Sequence, residues 1–210
     1  MKNKPNTSQE IKRVAKDLFN QKGIPSVTLR EVAKEMNKSY GNITYHFPTK
    51  EKLIEELYQE YKTEMQQVSQ AFFGEENLFL SILKAPFYTF DISLSYLFFF
   101  KDYVFLIREY EELAKKINQE NEQRKAILKS IFVQLIENDI FRNEFEEKDI
   151  FYLMELSGAM RTFFFMQLRN EEFEKLSLKN EYINYVNRLI FPYLSEKGRI
   201  IFEEFEENMM

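Results

Sequence analysis

The stretch that decides how this chain is built is TLREVAKEMNKSYGNITYHF, Thr28 to Phe47. Thr28-Leu-Arg-Glu31 has the form of a capping box, in which the Thr hydroxyl accepts the amide proton three residues on and the Glu reaches back to the open N-cap amide. Leu29, Val32, Ala33 and Met36 then recur at i, i+3, i+4 and i+7, one apolar face of a helix. Asn37 suits the left-handed conformation that a tight turn needs. Ser39 can cap a second short helix running to about Tyr45, with Ile43 as its inward anchor, before Pro48 breaks the chain. Two short helices joined by a tight turn, with polar and aromatic side chains left outward on the second, form a helix-turn-helix. That layout sets one helix into the major groove of DNA.

Upstream, Thr7-Ser-Gln-Glu10 reads as another capping box with Thr7 as N-cap. Ile11, Val14, Ala15, Leu18 and Phe19 follow on one face, Lys12, Arg13 and Lys16 on the others, and Gly23 with Pro25 ends the helix. Downstream, Thr49 caps a long helix through Leu53, Leu57, Tyr61, Met65, Val68 and Phe72 to near Gly74. Residues 1–50 therefore form a helix-turn-helix head, and residues 51–210 a helical body. In the body the patterning predicts helices over Asn77–Leu94, kinked or split at Pro86, over Ser95–Tyr110, over Glu111–Asp139 and over Ile150–Leu168. A last one runs through Tyr182, Ile183, Val186, Leu189 and Ile190, disturbed at Pro192. The acidic end, FEEFEENMM, is expected to fray.

Composition agrees with an all-α fold. The 210 residues include only five Gly and five Pro, too few for a turn-rich β fold, and 22 Phe and 12 Tyr demand a ring-rich core or pocket. The absence of Cys excludes disulfides, thiolate catalysis and Cys-based metal sites, and a single His, His46, argues against a His-based zinc site. No apolar run approaches the roughly 20 residues of a membrane helix, and MKNKPNTSQE lacks the apolar stretch of a secretion signal. The expectation is a soluble, cytoplasmic protein with no metal, no cofactor and no membrane partner. Charge is divided unevenly: residues 1–50 hold ten Lys and Arg against four Asp and Glu, a net +6, while the remaining residues hold 19 against 30, a net −11. A basic head on an acidic body suits a polyanion at the head and repulsion elsewhere.

The head closely resembles the DNA-binding domain of the tetracycline-repressor (TetR) family of bacterial regulators. The resemblance lies in VTLREVAKEM, Ser39, Gly41, Asn42, Ile43, the Tyr45-His46-Phe47 run, and Lys50 with Leu53, in order and without gaps. Thr44 departs from the Tyr usual in the family and Asn37 from the Gly usual at the turn. The resemblance implies a helical homodimer with two heads and a C-terminal ligand and dimer domain. It also implies a repressor released from its double-stranded operator by a small molecule. The body looks more loosely like a subgroup carrying an aromatic-FFF-x-D segment, here Phe98 to Asp102.

Tyr40 and Asn42, at the start of the second helix, are the candidate base readers: Asn can pair bidentately with adenine, and a Tyr ring can meet a thymine methyl or a phosphate. Gly41 allows close backbone approach. Thr28, Tyr45, His46 and Lys50 are candidates for the phosphate side, Thr28 and Lys50 because helix starts favour an anion, and Ser39 is a further DNA-binding candidate. Each has a plainer reading, with Asn42 a surface amide, Tyr45 a packing residue and His46 a half-buried neighbour of Phe47. In the body no catalytic constellation is visible. Phe87, Tyr88, Tyr103, Arg108, Met160 and Phe164 are candidates to line an effector pocket, although for most such rings ordinary helical core is the favoured reading, and Arg108 and Arg161 read as easily as interface ion-pair residues. Tyr152, Leu156, Ala159, Phe163, Val186 and Ile190 are candidates for a twofold interface of two helices from each subunit, with Gly158 and Ala159 allowing close approach. A DNA-bound adaptor whose body takes a protein partner is the rival reading, and a helical enzyme a weaker one.

Overall fold

The computed structural model describes residues 7–72, 77–142, 144–168 and 175–209. Gly74, the expected stop of the long helix, lies outside them. The described residues form eleven α-helices and one 3-10 turn, with a single isolated antiparallel bridge between Phe141 and Leu194. The fold is all-α. The chain divides into two compact units: the described residues of Met1–Met65 with Ile92–Ala114, and those of Gln66–Asp91 with Lys115–Met210.

In the first unit, α1 (Thr7–Lys22), α2 (Leu29–Glu35) and α3 (Tyr40–His46) make the head, and α4 (Lys50–Phe72) starts within it. α1 is described from Thr7, which is already helical and so is not its cap. The apolar stripe holds as read: Ile11, Val14, Ala15, Leu18 and Phe19 are buried. Gly23 ends the helix at φ +80, its N–H returning to the Phe19 carbonyl at 2.9 Å. Asn37 turns the chain at φ 52.

The same unit takes in residues beyond the head. Instead of one helix over Ser95–Tyr110, the chain is broken into the end of α5 (Leu78–Ser95), then α6 (Leu97–Lys101) and α7 (Tyr103–Glu109). The breaks have a packing cause. A straight helix would spread Tyr96, Phe98 and Phe99 around its circumference, whereas all three are buried here. Phe98 meets Phe19 at 5.4 Å between ring centroids, Phe99 meets Tyr58 edge-on at 5.6 Å, and Tyr96 meets Tyr61 at 5.4 Å. The buried Tyr96 hydroxyl donates to Glu64 at 2.7 Å, and burial first, then that carboxylate, hold its proton on far above the usual phenol range. Pro86, expected to kink or split its helix, lies inside a continuous α5.

The second unit holds the C-terminal part of α8 (Glu111–Glu137), α9 (Glu147–Met166), α10 (Lys175–Arg188), the 3-10 turn Phe191–Tyr193 and α11 (Glu196–Met209). Its main core gathers Phe79, Leu83, Phe132, Phe141, Phe145, Ile150 and Phe202 among others. The acidic end does not fray. It forms the docked helix α11, because Phe202 and Phe205, three apart, share one helical face and turn it into this core. Gly198 lets that helix approach closely, since a Cβ there would collide with the Ile140 carbonyl. Phe202 is 0% exposed and Ile200 on the same helix 52%. Phe202→Ala should therefore cost about 3–5 kcal/mol in urea unfolding through the cavity it leaves. Ile200→Ala should stay within about 0.5 kcal/mol.

Candidate nucleic-acid interface

The outward features of the head are fixed by local hydrogen bonds. At α2, Thr28 Oγ1 accepts from Glu31 N–H at 3.2 Å, while Glu31 Oε2 accepts from Thr28 N–H at 2.8 Å and from its hydroxyl at 3.1 Å. The capping box is complete. At α3, Ser39 Oγ accepts from Asn42 N–H at 3.2 Å, and at α4 Thr49 Oγ1 accepts from Lys52 N–H at 3.1 Å. Each helix start is thus closed by the residue its sequence nominated. The N-termini of α2 and α4 border one open groove of about 370 Å³, lined by Val27, Thr28, Leu29, Arg30, Tyr40, Pro48, Thr49 and Lys50.

The second helix of the motif carries its rings outward. Tyr45 is 83% exposed and stands edge-on to the half-buried His46 at 5.2 Å, while Tyr40 is exposed with the Arg30 guanidinium 4.8 Å from its ring centroid. A cation over the ring steadies Tyr40 and adds a positive charge to the groove. Sequence reasoning passed over Arg30; its place two residues past an N-cap was the available signal. Gly41 has open space, a Cβ there meeting only Ser39 Oγ at 4.0 Å, so the protein itself does not require a glycine. Thr44 turns its hydroxyl back on the helix, donating to the Tyr40 carbonyl at 3.2 Å. Asn42 is half-buried, and its Oδ1 is covered and without a hydrogen-bond partner. Lys50 is less free than its place at a helix start suggested: its ammonium donates to the Ile24 carbonyl. Burial pushes its pKa down, against the opposing pull of Asp102 and Glu31.

In the second unit the candidate interface residues separate by face. Tyr152 and Phe163 are 57% and 61% exposed; Ala159 is exposed and Leu156 half-buried beside them at helical spacing. Val186 and Ile190, expected on the same surface, face inward instead, buried in the unit's own core. α10 offers Tyr185 outward in their place. Tyr182, Ile183, Val186 and Ile190 make one stripe, and that stripe is covered within the unit itself. Of the candidate pocket residues, Phe87, Tyr88, Met160 and Phe164 belong to this unit, and Tyr103 and the exposed Arg108 to the first. Phe87 and Tyr88 stand edge-on at 5.2 Å, and the Lys179 ammonium lies 3.7 Å from the Phe87 centroid while pairing with Asp91 at 2.7 Å. Phe164 is buried against Tyr182 at 5.1 Å and Phe165 at 5.6 Å.

Residues 11–57 match the family described as bacterial regulatory proteins, tetR family, and residues 51–202 match one described as bacterial transcriptional repressor. The chain belongs to the TetR family of bacterial transcriptional regulators. It is a DNA-binding, helix-turn-helix protein of that family. A TetR-family regulator from Marinobacter aquaeolei has the same fold, with a TM-score of 0.83 at 24% identity over 97% of this chain and 98% of that one. The ketosteroid regulator KstR2 of Mycobacterium tuberculosis matches at a TM-score of 0.74 and 14% identity, over 92% of this chain and 98% of its own. The fatty acid degradation regulator FadR of Bacillus halodurans matches at 0.66 and 14%, over 88% and 96%. A comparison with curated proteins gave no match.

The capping box at α2 makes a pH prediction. Glu31's carboxyl is held below the usual carboxylate range, first by the Thr28 N–H and then by its hydroxyl. A carboxyl with a depressed pKa in the fold stabilises above its unfolded pKa, and the effect is lost as pH falls through the folded value. The gap in melting temperature between wild type and Glu31→Gln should accordingly be full at neutral pH. It should narrow as the pH is lowered through the carboxylate range, as thermal melts across a pH series would read out.

Proposed function

We propose that this regulator is a homodimeric repressor of a pseudo-palindromic operator, acting in the cytoplasm and released by a small effector. Its two heads read DNA with α3. The observation that carries the reading is the state of Asn42: a covered amide oxygen at a base-reading position, with no hydrogen-bond partner among the described residues. Leaving such a group unpaired costs about 1–3 kcal/mol. Rotation into a major groove would give that oxygen the adenine N6 amino group and the amide nitrogen adenine N7. Tyr40, steadied by Arg30, and the outstanding Tyr45 flank it, and the open space at Gly41 leaves room for a sugar–phosphate backbone. Ser39, Thr28 and His46 supply the supporting phosphate side, with Lys50 swinging from the Ile24 carbonyl to a phosphate or holding the turn that does.

Two heads need a rigid twofold body, and the exposed Tyr152, Ala159 and Phe163 stripe of α9, with Tyr185 of α10, is apolar surface suited to a second copy of the chain. The effector is expected among apolar or aromatic compounds, because the second unit is rich in rings around Phe87, Tyr88, Met160 and Phe164. The named neighbours act on ketosteroid and fatty acid regulation, and this chain is proposed to sense a ligand of comparable apolar character.

Fragments of the source genome selected by the full-length protein supply the operator for the tests. Asn42→Ala should cost about 1–3 kcal/mol on that operator and nothing on unrelated DNA. Lys50→Ala should weaken all sequences alike. Titrations that found both variants equally defective on every sequence would overturn the assignment of Asn42 as reader. Phe163→Glu should convert a dimer to a monomer in sedimentation velocity at micromolar protein, and a dimer that survived it would rule this face out.

A further inference from the structure

Asn20 and Asp102 each hold the other's backbone across one seam of the first unit. Asn20, in the last turn of α1, donates Nδ2–H to the Ser95 carbonyl at 2.8 Å and accepts the Phe98 N–H at Oδ1 at 3.0 Å. Asp102, in the break between α6 and α7, accepts the Ile24 N–H at 2.6 Å. Phe19 and Phe98 close the space between these two anchors. The approach is tight. A Cβ on Gly23 would lie 3.3 Å from Asp102 Oδ2, a tight contact, and it is the backbone at φ +80 that favours glycine here. On its other side the Ile24 carbonyl accepts from Lys50, the first residue of α4.

Neither residue suits a phosphate. The Asn20 amide is already engaged at both ends with Ser95 and Phe98, Asp102 is an anion, and neither lines the groove between the α2 and α4 starts. What they control is the turn that leads into that groove: Thr28, the cap of α2, lies four residues beyond Ile24, and Lys50 opens α4. The main chain of Ile24 therefore sets how far apart the two helix starts stand.

We propose that Asn20 and Asp102 form a reciprocal latch by which the Ser95–Asp102 segment holds the head in its DNA-binding geometry, both acting as positioning residues without touching DNA. The proposal rests on the DNA-reading role above and adds to it residues far outside the helix-turn-helix.

The test uses the full-length protein on its selected genomic fragments and on unrelated DNA, across a salt series. Asp102→Ala and Asn20→Ala should each lower affinity about tenfold on both kinds of DNA, the scale of a lost charge-assisted or paired hydrogen bond. The slope against salt should stay unchanged because no phosphate contact is removed. The double variant should lose less than the product of the two, as residues of one latch do. In Asp102→Ala the Ile24 amide should exchange its proton faster, and Asp102→Asn, which keeps an acceptor, should recover most of the affinity. Unchanged or raised affinity with a fast-exchanging Ile24 amide would overturn the proposal, as would a reduced salt slope. If Asp102→Ala fails to fold by circular dichroism, Asn20→Ala and Asp102→Asn decide by the same criteria. A wild type that binds no DNA at any salt would sink the DNA reading and the latch's purpose with it, and it is told apart from a failure of the latch by that measurement alone.

Discussion

The main chain of Ile24 carries a carboxylate on its N–H and an ammonium on its carbonyl, and the first unit closes around that arrangement. Burying either charge alone would be costly. Together they help each other: burial lowers the pKa of Lys50, and the nearby Asp102 opposes that shift. The bond from Asp102 joins positions 78 apart, so it cannot form until the chain beyond α5 has returned to the head. Once it has, the turn between α1 and α2 has no freedom left. It is bounded by a left-handed Gly23, by Asp102 and by Lys50.

The head was legible in the sequence because its determinants are local. Thr28 with Glu31, Ser39 with Asn42, and Thr49 with Lys52 are separated by three residues, and capping chemistry at that spacing has few alternatives. Gly23 and Asn37 announced their left-handed turns by residue type. Ser95–Tyr110 was not legible in the same way. Its length and charges fit one helix, and what breaks it is the pull of Phe19 and Ile24, residues that no window around it contains. The acidic end misled for a related reason: counting Glu hides two Phe that a partner surface three-dimensionally selects. Val186 and Ile190 misled by phase, since sequence shows that a stripe is apolar and not whether its cover comes from the same subunit or another.

Within the candidate site, position was legible and availability was not. Thr28 stands at a helix start as expected, yet its N–H and hydroxyl are both committed to Glu31. That carboxylate sits where an approaching phosphate would otherwise find open amides, so capping and anion binding compete for the same donors at α2. Lys50 is likewise engaged, and Thr44 returns its hydroxyl to its own helix. The rings that stand out on the face are Tyr40 under Arg30 and Tyr45 beside His46, with the half-buried Asn42 amide oxygen unpaired between them in sequence.

Such a face has a consequence for how the protein would choose DNA. Lysine-rich surfaces bind any duplex and depend steeply on salt, because their affinity comes from displaced counterions. Here Lys50 is spent on the Ile24 carbonyl and Glu31 sets a carboxylate at the start of α2, so these two positions add little to the counterion contribution. On the proposed reading, affinity then depends on close fit of rings and amides to base edges and sugars, which tolerates little error in the spacing of α2, α3 and α4. A head that reads by fit must be held more rigidly than one that reads by charge, and on the proposed reading the half-buried Asp102 and Asn20 supply that hold from outside the DNA-reading face.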